Sequence, residues 1–402
     1  MFRLQTYATT ATSLVALVIA AAPAFAQTQL PGIIVERPVS GATLERQPVS
    51  TPVETAPAPR RERQSTRPTP NVATDVAPAP GIALETIGSS VSVVTASQLR
   101  DQQIRHTADA LRALPGVSVA GQGGPGSLTQ VRIRGQEGRH TRVLVDGIEL
   151  NPSKDGDFDF SNLIADDIER IEVIRGPMSG LYGSGALGGV INIVTRRPTG
   201  PLALIARTEL GSFGKRDLAL RLEGGNEKGH VSIGGQFRRI DGFNVSPFGD
   251  ERDGTRIGSF NLKAGAAFAP NARLDLVLRL SEKRVAFDDF AGFAPGFAYV
   301  VANDAGNITR THSLLAGATL AWDSLGGKLS QEIKLGHTTQ KDENRFFAFT
   351  GFAAGQQNVS RDDSARTNIA YSATYRLGAP SLWGKHAITG RVEGEREGYR
   401  PF

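Results

Sequence analysis

The 402-residue chain has no cysteine, and only two methionines, two tryptophans and six histidines. The missing cysteine excludes a disulfide framework, a thiolate metal site and thiol catalysis. The histidines are scattered, and neither His-Glu-x-x-His nor Gly-x-Ser-x-Gly occurs, so no metalloprotease or serine-hydrolase motif is present. Charge of one sign is also lacking. Forty-five basic side chains face forty acidic ones, a net +5, too even to mark a nucleic-acid partner. No internal apolar run reaches the ~18 residues of a spanning helix. A membrane β-barrel stays open, because its strands expose apolar residues only at alternate positions.

The amino terminus points to export. Arg3 precedes the apolar stretch Leu14 to Ala22, which leads to Pro23-Ala-Phe-Ala26. A basic start, a short apolar middle and an Ala-x-Ala end predict a signal peptide over 1–26, cleaved after Ala26. Residues 27–37 hold one apolar word, Leu30-Pro-Gly-Ile-Ile-Val-Glu36. With no core beside it, this word reads as a strand that joins a partner's sheet edge. Ten of the 22 prolines then crowd into residues 31–80. Segment 38–81 cannot bury enough apolar surface to offset its ordering entropy, and is expected to be an extended linker.

From residue 82 the pattern is that of an α+β domain. Expected strands are 91–95, 130–134, 141–145, 148–150, 168–175 and 190–195. Ser97 is expected to cap one short helix and Thr107 a second, over 108–114, stopped by Pro115-Gly116. Gly183-Ser-Gly-Ala-Leu-Gly188 matches dinucleotide-binding spacing, but it runs into a β-branched segment, Val190 to Val194, rather than a helix. It is read as a turn.

Five blocks follow one another here: Leu114-Pro-Gly-Val117, Val131-Arg-Ile-Arg-Gly135, Val143-Leu-Val-Asp-Gly147, Ile168 to Pro177, and Leu181-Tyr-Gly-Ser-Gly to Val194. Together they resemble the plug domain of the TonB-dependent outer-membrane receptors. The resemblance assigns plug-signature roles to Arg134, Gly135, Asp146, Gly147, Arg175, Gly176, Pro177, Tyr182 and Gly183. It implies that Ile33, Ile34, Val35 and Glu36 form the TonB box, which lends a strand to a TonB-type energy-coupling protein in the periplasm. It also implies a location in the outer membrane of a Gram-negative bacterium. Arg132, Arg134, Arg170 and Arg175 are expected to pair with carboxylates of the barrel wall.

After Pro198 the period becomes two. Nine strands are expected, at 203–211, 215–224, 229–240, 255–268, 272–286, 308–323, 327–340, 364–377 and 385–397. Short turns lie on one side, and long loops at 241–254, 287–307 and 341–363 on the other. That asymmetry is the outer-membrane signature. Trp322 and Tyr371 are candidate girdle residues at the lipid boundary. The expected fold is mainly β: an α+β plug over 82–198 inside an antiparallel transmembrane barrel whose N-terminal part is 199–402. Nine is an odd number, and an open sheet leaves unpaired edges in lipid. The sequence is therefore read as part of a longer receptor.

The ligand has two readings. Arg134-Gly-Gln-Glu-Gly-Arg-His140 with Val143 to Gly147 is similar in spacing to cobalamin-receptor plugs. The loop around Asp250, Glu251 and Asp253 resembles that subfamily's calcium loop and offers hard oxygens. Apart from that calcium ion, no cofactor is expected. The other reading is a ferric siderophore or haem receptor of the same family. Outside the transporter class, a passive binding or adhesion protein is the alternative.

Overall fold

The structure is a computed structural model. It describes residues 89–402, apart from 164, 245–249, 251, 289, 294–299, 303–305, 351–352 and 378–385. The expected signal peptide, the apolar word at 33–36 and the linker lie outside the described residues.

The first domain is built on β1 (Ser90–Thr95), β2 (Val117–Gly121), β3 (Thr129–Ile133), β4 (Thr141–Val145), β5 (Ile148–Glu149), β6 (Ile168–Arg175) and β7 (Gly189–Thr195). Its three helices are α1 (Ala96–Asp101), α2 (Thr107–Arg112) and α3 (Ser179–Tyr182). Five strands form one sheet in the order β1-β6-β7-β4-β5. Only β4 and β7 run parallel. The pair β2–β3 is a separate hairpin.

Residue parity divides the five-stranded sheet into two apolar faces. Odd-numbered Val143, Val145, Ile171, Val173, Ile191 and Ile193 pack under the helices and the hairpin. Even-numbered Leu144, Ile174 and Val190 form a second cluster with Ala186. Both faces are covered, so β6 and β7 read as almost continuous Val/Ile runs rather than as an alternation.

Two capping expectations are corrected. Thr95, not Ser97, caps α1: its hydroxyl accepts from Gln98 N, while Gln98 Oε1 accepts from Thr95 N at 2.8 Å. The capping box uses Gln98 three residues on, and Ser97 has no such partner within reach. Thr107 is the first residue of α2, and His106 stands at its N-cap without a side-chain cap bond.

The second part is a meander of nine antiparallel strands. They are β8 (Gly200–Gly211), β9 (Lys215–Asn226), β10 (Gly229–Ile240), β11 (Thr255–Ala269), β12 (Ala272–Phe287), β15 (Asn307–Ser324), β16 (Leu329–Thr350), β17 (Ala353–Arg376) and β18 (Ala387–Pro401). A small hairpin, β13 (Phe290–Phe293) with β14 (Val300–Ala302), sits in the connection after β12. The nine expected strands are all present.

The expected long loop at 341–363 is instead a tall hairpin: β16 and β17 stay paired from Lys341↔Asp363 up to Thr350↔Ala353. Residues 340–345 and 360–364 lack alternating apolar side chains, so they read as loop. What holds them is the backbone ladder and cross-strand charge, with Arg361 Nε 3.0 Å from Glu343 Oε2. Such pairs suit a strand standing in water.

Candidate functional site at the plug and wall interface

The nine-stranded sheet is inside-out relative to a soluble sandwich. On β12, Leu274, Leu276 and Leu280 are exposed, while Asp275 and Val277 between them, and Lys283 further along, are buried. On β17, Ile369, Tyr371 and Tyr375 are exposed, while Arg366, Asn368, Ser372 and Thr374 are buried. Strands β9, β10 and β16 expose Leu218, Leu220, Leu222, Phe237 and Leu335 in the same way. Trp322 and Tyr371 lie against each other with ring centroids 6.4 Å apart. An outward apolar face with a polar inner face requires lipid outside and a polar filling inside.

The filling is the first domain, which meets the wall through ion pairs. Lys263 of β11 reaches Asp146 Oδ1 at 2.9 Å and the carbonyl of Thr195 at 3.0 Å. Asp146 also accepts from Thr195 N at 3.0 Å and from Thr195 Oγ1. Burial works to raise its pKa, but Lys263 and the Thr195 bonds outweigh burial and hold it below the usual carboxylate value. Lys283 of β12 pairs with Asp159, which caps the short turn at Phe160–Asn162. Arg279 pairs with Asp167, and Arg207 Nη2 lies 2.6 Å from Asp166. Arg366 of β17 pairs with Glu149.

Fewer pairs run the other way. Plug residue Lys154 lies 2.7 Å from Asp362, Arg105 lies 3.2 Å from Glu209, and Arg197 lies 3.3 Å from Asp275. The dominant pattern is thus plug acids held by wall bases.

That pattern corrects the arginine expectation. Arg175 donates to Ser90 Oγ, Ser92 Oγ and the Pro115 carbonyl. Arg170 bonds Glu172 and Glu169, both on β6. Arg132 donates to Gln130. None of these, nor Arg134, forms an ion pair with a wall carboxylate among the described residues. Arg170 and Arg175 are internal fasteners of the plug, because the five-stranded sheet that carries them is covered on both faces before it meets the wall, while Arg132 on the hairpin and Arg134 just after it are exposed.

The other signature residues are turn makers. Arg134 and Gly135 have φ of 52° and 75°, and Asp146 and Gly147 have 50° and 79°. Gly176 and Gly183 also have positive φ, at 122° and 83°. An added Cβ on Gly183 would lie 2.6 Å from Arg142 Nη2, so this position favours glycine twice over. Pro177 follows Gly176, and Tyr182 ends α3, packed on the even-numbered cluster. The turn from Gly183 to Gly188 leads into β7, a strand.

In the acidic loop, Asp250 is exposed and Asp253 is buried, and Glu251 lies outside the described residues. Among the described residues, no three Asp, Glu, His or Cys side chains gather as a metal site.

The sequence reading did not single out His106. Arg238 of β10, almost fully buried, lies against the His106 ring and donates through Nε to Asp217 at 2.7 Å. Burial first, and then the Arg238 charge, push the His106 pKa down to about 4. A histidine just before a helix, met by an arginine 132 positions away, leaves no local signal.

Residues 83–190 match the family profile described as the TonB-dependent Receptor Plug Domain. Among curated proteins, the chain is 33% identical over 212 residues to a protein named Vitamin B12 transporter BtuB, from Photobacterium profundum. That match covers 52% of this chain and 35% of the relative. A protein of the same name from Vibrio vulnificus is 36% identical over 166 residues, covering 40% and 27%. The chain thus spans about a third of the length of the curated relatives it matches.

Among solved structures, the ferripyoverdine receptor of the outer membrane of Pseudomonas aeruginosa superposes with a TM-score of 0.63 at 16% identity. The match covers 78% of this chain and 43% of that one. The siderophore receptor PiuA from Acinetobacter baumannii superposes at 0.59, also at 16% identity, over 77% and 46%. These likenesses bear on the fold. Profile, relatives and inside-out architecture agree on a TonB-dependent receptor plug domain over residues 83–190, followed by nine strands with the fold of the receptor barrels.

Proposed function

We propose that this protein is an outer-membrane importer of a cobalamin-type ligand, energised through a TonB-type coupling protein that pairs with Ile33 to Glu36. The observation that carries the transport reading is the plug itself. A lumen wide enough to hold over a hundred residues is a pore unless filled, and the filling here is seated by exchangeable ion pairs. The likeness to two proteins named vitamin B12 transporters supports the ligand class. The siderophore receptors are similar at 16% identity and speak for the fold alone.

The outer membrane holds no nucleotide pool, so work has to arrive mechanically from below. A strand-lending segment ahead of a proline-rich linker suits that task. The acidic loop belongs to the same proposal as a calcium site. Its support is the sequence pattern.

The test is a titration of the purified protein with cyanocobalamin, with and without calcium. Saturable binding that tightens with calcium is expected. Absence of saturable binding in both conditions overturns the ligand class and turns attention to ferric chelates.

A further inference from the structure

Two cavities of about 70 Å³ each lie on the same side of the plug, between its β5 edge and the wall. Each has room for a few waters. One is lined by Asn151 and Ser153 of the plug and by Ser313, Thr338 and Ser364 of the wall. The other is lined by Gly147 and Glu149 of the plug and by Thr319, Lys334 and Asn368 of the wall. The same three wall strands, β15, β16 and β17, serve both. The cavities therefore follow one another along the wall, a few residues apart at about 3.3 Å per residue.

What separates them is β5, two residues long. Ile148 is 2% exposed and fills a socket left by two wall glycines. A Cβ on Gly317 would stand 2.0 Å from Ile148 Cδ1, and one on Gly336 would stand 2.9 Å from Ile148 Cγ2. Neither glycine has a positive φ, so side-chain space and not the backbone calls for glycine there: Ile148 at Gly317, and Asn368 Oδ1 together with Ile148 at Gly336. Through Ile148 the plug's larger apolar cluster reaches the wall at Val277 and Leu315.

Glu149, the next residue, lines one cavity, while its wall partner Arg366 lines the other. Each member of that pair has a second partner on its own side. Glu149 is paired with Arg142 of the plug, and Arg366 Nε lies 2.9 Å from Glu397 of β18. Separating a buried pair is costly when it strands a charge. Here neither charge is stranded.

We propose that β5 is a gate. Ile148 leaves the Gly317–Gly336 socket, Arg366 keeps Glu397, Glu149 keeps Arg142, and the two polar cavities join into one passage for a hydrophilic solute beside the plug. The proposal rests on the import reading for its purpose, and part of its test needs no ligand.

The chain has no cysteine, so Ile148→Cys with Gly317→Cys creates a unique bridge from gate to wall. Oxidation is expected to abolish uptake of radiolabelled cyanocobalamin by cells while surface binding persists, and a reductant is expected to restore uptake. Uptake by the oxidised pair at the reduced rate overturns the gate. Independently, Ile148→Ala protein in planar bilayers should show KCl conductance raised above the parent's, because truncating a buried side chain leaves a cavity at its seat between the two cavities. Unchanged conductance in both Ile148→Ala and Ile148→Ser overturns it as well. If the parent imports no cyanocobalamin, the ligand reading fails, and the conductance arm alone decides the gate.

Discussion

Asp146 shows how one side chain serves both the plug and its seat. Its positive-φ turn with Gly147 was legible as a short Val-Asp-Gly word. Its two partners were not, since Thr195 and Lys263 lie 49 and 117 positions away. Replacing Lys263 by Met leaves a buried carboxylate without its cation, a loss of about 3–5 kcal/mol. Adding Asp146→Asn should recover part of it, and urea titration of the three variants in bilayer vesicles measures the difference. Because Asp146 is held below its ordinary pKa of 3.8, its contribution is fully present above that pH and is lost as pH falls through the lower folded value.

His106 acts in the same sense, in a higher pH range. Its pKa falls from 6.5 to about 4 on folding, so the unfolded state binds the extra proton first. Stability is therefore expected to decline as pH drops from about 6.5 towards 4. A His106→Gln variant should flatten that part of the profile, read as protease sensitivity of the plug against pH.

At the scale of the strand, parity carried most of the information. Alternation marked Leu274, Leu276 and Leu280 as one face from sequence, and the structure turns that face outward. Leu276→Arg is expected to lower the stability of the membrane-inserted protein by about 2–4 kcal/mol if the site lies at mid-bilayer. Thr319→Arg, on the inner face beside the cavity lined by Glu332 and Lys334, is expected to cost less, and the same urea titration compares them. Parity failed where its cause was absent. Over 340–345 and 360–364 polar and charged residues occupy both parities, so no apolar alternation marks the strands. The helix caps failed for another reason: Thr95 and Ser97 are both good N-cap residues, and only the reach of Gln98 selects between them.

For the molecule as a whole, the transport reading makes one decisive prediction. Deletion of Ile33 to Glu36 should abolish uptake and leave ligand binding intact. Equal uptake with and without the segment points to passive binding or adhesion, or to a different coupling segment.

The sequence by itself determined where most strands run, which face of each is apolar, and the turns that need positive φ. Each of these is a local property, written within a few residues by a period of two or by glycine's freedom at φ > 0. Only the tertiary structure decided which charges meet. Arg170 and Arg175 close upon the plug's own strands, while Lys263, Lys283 and Arg366 reach in from the wall to Asp146, Asp159 and Glu149. The reason is physical. An ion pair depends on separation in space, and these partners come within hydrogen-bonding distance only after more than a hundred residues of intervening chain have curved around the plug.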